Sequence, residues 1–105
     1  MYRQTDPALV DFLTDCGWAF RAKMNVPEFF AKHQRRMIGC TCAISKVTSR
    51  FLRAGRFPVR ELAAAIQRAK WTGWVLNEEE RLSGEKPGEK AVAPARQTLK
   101  QVFGK

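Results

Sequence analysis

Apolar positions along the chain recur at helical rather than strand spacing. Leu9, Leu13, Cys16, Phe20 and Met24 follow one another at steps of four, three, four and four, which makes one stripe of an amphipathic helix. Thr5 or Asp6 caps that helix and Pro7 opens it, so a first helix is predicted over about 7–23. Asn25 and Pro27 open a second. Its apolar side holds Phe30, Met37 and Ile38 with His33 between them, and Lys32, Arg35 and Arg36 project from the other side. Gly39 and the small or β-branched residues Thr41, Cys42, Ala43 and Ile44 weaken helix continuity. They predict a tight turn near 43–45, followed by a third helix from Ser45 to Ala54 that Gly55 ends. Pro58 begins a fourth, with Val59, Leu62, Ile66 and Ala69 on one stripe and Trp71, Trp74 and Val75 near its end.

Beyond that helix the signals thin out. Asn77 with Glu80 has the spacing of a capping box and predicts a short helical restart at 78. The stretch from Ser83 to Lys90 has the composition of a solvated linker. The chain therefore divides into a helical domain over 1–82, a linker over 83–93, and a short C-terminal helix or tail over 94–105. In that last piece Pro94 opens a turn or two, and Leu99, Val102 and Phe103 share a face. No alternating run bounded by hairpin dipeptides occurs, so no strand is predicted. The expected fold class is all-α: a small bundle of four to five helices, with a helix-turn-helix among them.

Charge sharpens this outline. The 105 residues carry 19 Lys and Arg against 10 Asp and Glu, a formal net charge of +9. Residues 16–60 hold ten of the basic side chains and a single acid, Glu28, and so carry the whole excess. Crowding like charge into one stretch opposes folding by self-repulsion, and a polyanion on the basic surface would relieve it. A solvated basic face that only keeps the protein dispersed is the plainer alternative. The length suits one modest core and excludes a two-domain enzyme architecture. The longest uncharged stretch, Met37 to Ser45, is too short for a membrane span.

The densest candidate chemistry lies between Arg35 and Arg53. There Ile44, Ser45, Lys46, Val47, Thr48, Ser49 and Arg50 follow an order similar to the turn and second helix of the helix-turn-helix in bacterial repressors. That resemblance covers about a fifth of the chain. It implies Gly39 as the small residue where two helices cross, Ile38, Cys42, Ile44 and Leu52 as packing residues, and Lys46, Ser49, Arg50 and Arg53 as the outward face. Ala43 stands where such turns usually hold Gly, and Ser49 falls on the buried position of the second helix. On this reading Arg50 and Arg53 meet guanine edges or phosphates, while Ser45 caps the reading helix and offers its amide end to a phosphate. Lys32, Arg35, Arg36, Arg56 and Arg60 contact the backbone.

Other constellations carry less. Cys16, His33, Cys40 and Cys42 are four potential metal ligands, yet Cys40 and Cys42 on a helix would point to opposite sides, and Cys16 lies on an apolar stripe. They read as core residues, with no metal and no cofactor expected. One His, no nucleophile elbow, no phosphate-cradling glycine loop and no carboxylate pair in an apolar setting argue against an enzyme. Trp71 and Trp74 beside Arg68 and Lys70 suit core packing, a homodimer surface or base stacking.

The expected function is that of a small basic nucleic-acid-binding regulator directed at double-stranded DNA, with homodimerisation through Trp71, Trp74 or the C-terminal segment. The alternatives are an adaptor docking on an acidic protein and an RNA binder. No export-signal layout opens the chain, and three cysteines cannot all pair within one molecule. A reducing cytoplasm is the expected compartment.

Overall fold

The computed structural model describes residues 3–42, 57–78 and 89–104, with only the backbone described over 89–91. It corrects the all-α expectation. The chain builds a parallel sheet of three strands, β1 (Phe12–Asp15), β2 (Met37–Cys42) and β3 (Trp74–Asn77), in that spatial order. Helices α1 (Cys16–Arg21), α2 (Val26–His33), α3 (Val59–Arg68) and α4 (Glu89–Phe103) complete a mixed α/β architecture. Among the described residues no helix is long and apolar enough to cross a membrane.

The first predicted helix fails at its start. Asp6 closes a local turn, its carboxylate accepting from the Ala8 N–H at 2.8 Å and its carbonyl from the Leu9 and Val10 N–H groups. The cap that works is Asp15, whose extended backbone ends β1 and whose carboxylate accepts from the Trp18 N–H at 2.9 Å. Leu9 and Leu13, placed on a buried stripe by helical spacing, are instead exposed, while Cys16 is buried.

The second helix opens as expected, with Asn25 accepting from the Glu28 N–H and Pro27 in the first turn. It ends at His33. A single 3₁₀ turn, Gln34–Arg36, then leads into β2. Met37–Cys42 is the central strand, hydrogen-bonded on both sides, and a strand so placed has no need of polar alternation. That is why its continuous apolar run reads as helix.

Helix α3 follows its predicted stripe, burying Leu62 and Ile66 together with Ala63 and Ala65. Its end is a Schellman turn in which Lys70 takes a φ of 50° and the Trp71 N–H returns to the Ile66 carbonyl. Helix α4 begins before Pro94 rather than at it, so the proline sits inside the helix. The buried core joins Cys16, Val26, Phe30, Met37, Cys40, Cys42, Phe57, Leu62, Ala65 and Ile66, and Phe20, Trp71 and Phe103 pack on its margin. The third predicted helix, Ser45–Ala54, and most of the predicted linker lie outside the described residues.

Candidate interaction surface

One face of the sheet turns towards the core, through Cys40, Cys42 and the partly buried Val75. Alternation along each strand puts the intervening residues on the other face. Register sets them in two rows. Leu13, Gly39 and Trp74 form one, and Asp15, Thr41 and Leu76 the next. Leu13 is 59% exposed, Trp74 78% and Leu76 43%. Ile38, 54% exposed, falls in the register shift between Phe12 and Leu13, opposite no residue of β1. No described element covers this face, although parallel sheets are ordinarily packed on both sides.

Gly39 shapes the middle of the patch. A Cβ there would lie 2.7 Å from Leu13 Cδ1, 3.2 Å from the Trp74 carbonyl oxygen and 3.4 Å from Trp74 Cβ. The missing side chain makes the room that Leu13 Cδ1 and the Trp74 main chain occupy, so Gly39 is buried beneath its two neighbours in the row. Among the described residues the two rows contain one charged group, Asp15, which is engaged as the α1 cap.

The nucleic-acid residues expected from sequence are not gathered here. Ser45, Lys46, Ser49, Arg50, Arg53 and Arg56 lie outside the described residues. Lys32, Arg35 and Arg60 are exposed. Arg36 turns inwards: Nη2 donates to Thr5 Oγ1 at 2.9 Å and to the Val10 carbonyl at 2.8 Å, and the guanidinium lies over the Phe12 ring at 5.1 Å. It ties the N-terminal segment to the sheet. The helix-turn-helix is overturned at its first helix, since Ile38, Gly39 and Cys42 occupy a strand, and Gly39 faces Leu13 and Trp74 instead of a crossing helix.

The two tryptophans part company. Trp71 packs edge-on against Phe30, with ring centroids 5.2 Å apart, and donates its indole N–H to the Met37 carbonyl. Trp74, three residues on, is the most exposed residue of the open face.

The three cysteines are all buried and free. Residues two apart on a strand share a face, so Cys40 and Cys42 lie on the same side, not on opposite sides as on a helix. Hydrogen bonds from the Cys16 and Cys42 thiols hold the Cys40 thiol well below its usual range, at about 4, against the opposing effect of burial. The same hydrogen bonds, together with burial, push Cys16 and Cys42 upwards. Among the described residues no group of three or more His, Cys, Asp or Glu side chains is arranged to hold a metal ion. At the end of β3, both amide atoms of Asn77 are buried without a hydrogen-bond partner among the described residues.

Helical periodicity hid the patch by assigning Leu13 to a core stripe. The available signal was compositional: three short runs, Phe12–Asp15, Met37–Cys42 and Trp74–Asn77, are each poor in strong helix formers. Compared with known protein families, curated proteins and solved structures, the chain matches none.

Proposed function

We propose that this chain is a non-catalytic interaction module whose open sheet face seats an apolar segment of an acidic protein partner. The observation that carries this reading is the exposure of Trp74 beside Leu13 and Leu76 on a side of the parallel sheet that no described element covers. Trp buried at an interface is among its strongest anchors, and Leu13, packed over Gly39, extends the apolar surface beside Trp74. The face itself is nearly uncharged, so the net charge of +9 acts around it, drawing an acidic partner into encounter while apolar contact holds it.

A second reading is supported by the same charge and the same indole. Single-stranded nucleic acid could stack a base on Trp74 while cations elsewhere on the chain meet the phosphates. The two readings separate in one fluorescence experiment, using a peptide with an apolar centre flanked by glutamates and, in parallel, a short oligothymidylate. The module reading expects the peptide to bind, with Trp74→Ala abolishing binding and leaving the fold intact. Tighter binding of the oligonucleotide that also depends on Trp74 would replace it with the stacking reading. If neither ligand's affinity changes in Trp74→Ala, both readings fail.

A further inference from the structure

The opposite face of β3 carries a second surface of different chemistry. Val75 points away from Trp74, and with α4 it borders an open, shallow cleft of about 210 Å³ lined, among the described residues, by Val75, Arg96, Leu99, Lys100 and Phe103. Positions 96, 99, 100 and 103 are spaced by three and four, so one face of α4 supplies all four helical residues. The lining is apolar through Val75, Leu99 and Phe103, and cationic through the exposed side chains of Arg96 and Lys100. Among the described residues no carboxylate lines it. Two like charges one helical turn apart repel, and an anion between them reverses that repulsion.

We infer that this cleft is a binding site for a small amphipathic carboxylate, with the carboxylate held between Arg96 and Lys100 and a short aliphatic tail or single ring laid on Leu99, Phe103 and Val75. The guanidinium fork of Arg96 can take both carboxylate oxygens, while the Lys100 ammonium adds a point charge that adapts to the head-group position. The volume lies below the roughly 300–1,000 Å³ of sites for drug-sized ligands, which limits the tail to a short chain. The site stands apart from the open sheet face, and neither proposal depends on the other.

Octanoate titrated into the isotope-labelled full-length chain tests this by amide chemical shifts. The expected result is saturating shifts at Val75 and over 96–103, weakened by salt. Acetate, which has the charge without the chain, and octanol, which has the chain without the charge, should each bind about tenfold more weakly or worse. The double substitution Arg96→Ala with Lys100→Ala removes two exposed side chains and should cost at least about tenfold in octanoate affinity. Phe103→Leu, which keeps an apolar side chain, should weaken octanoate while leaving the acetate response unchanged. Trp74→Ala should leave octanoate binding intact. Octanol binding as tightly as octanoate, unchanged affinity in the double variant, or shifts centred on Leu13 and Trp74 would each overturn the assignment.

Discussion

The indole N–H of Trp71 donates to the main-chain carbonyl of Met37 at 3.1 Å, joining residues 34 positions apart. This bond fastens the segment after α3 to the first residue of the central strand, and the Phe30 ring closes over it edge-on. Trp71→Phe keeps most of the packing and removes the donor. It should lower unfolding free energy by about 1–3 kcal/mol in urea titration, the cost of stranding a part-buried acceptor. Gly73 guards the same indole, since a Cβ there would collide with the Trp71 ring. Gly73→Ala should therefore destabilise at least as much as Trp71→Phe, and a neutral result would show that the indole has room to move.

Arg36 separates structural from functional cations. With its guanidinium bonded to Thr5 and Val10, Arg36→Ala should cost about 1.5–3 kcal/mol of stability, the range for hydrogen bonds to charged groups. Hydrogen exchange at the Leu9 and Val10 amides should accelerate in the same variant. Its affinity for an acidic peptide should match that of the parent chain, and a marked drop would move Arg36 into the binding surface.

Two lysines occupy backbone conformations that suit glycine. Lys23 and Lys70 end α1 and α3 with φ values of 61° and 50°. A side chain in that region costs about 1–2 kcal/mol, and glycine loses roughly half of the relief to its greater chain entropy. Lys70→Gly should raise stability by about 0.5–1 kcal/mol in urea, because its turn aims Trp71 back at the core. Lys23→Gly should act in the same direction.

His33 titrates below its ordinary value of 6.5 because burial disfavours the imidazolium, and Lys32 and Arg3 add like-charge repulsion. The folded chain thus holds the proton less tightly than the unfolded chain. The stability this confers is fully present above 6.5 and is withdrawn as pH falls through the range below it. An NMR titration of the imidazole should give a midpoint under 6.5, and Lys32→Ala should bring it part of the way back. A midpoint at or above 6.5 would contradict the arrangement.

Asn77 carries a buried amide with no partner among the described residues. Asn77→Val removes that desolvated group and suits a strand, so it should stabilise the fold by about 1–3 kcal/mol. A loss of stability instead would mean that the amide is satisfied in solution.

The helix-rich parts of the chain were legible because their signals are local. Asn25 and Pro27 mark the start of α2, and the Val59, Leu62, Ile66 stripe marks α3, through interactions that close within a few residues. The sheet was not, because parallel strands pair across long separations and a central strand shows no period of its own. Leu13 illustrates the consequence. Its spacing from Leu9 and Cys16 fits a helix, yet its partner is Gly39, and that contact exists only once β1 and β2 lie side by side.

The sequence by itself determined the charge excess, the helix starts at Asn25 and Pro58, and the apolar residues available for a core, since each follows from composition or from neighbours within one turn. Only the tertiary structure decided which apolar residues stay outside. Pairing Leu13, Gly39 and Trp74 in one row sends Trp74 to the open face by strand register, while the turn after α3 and the bond to Met37 return Trp71 to the packing.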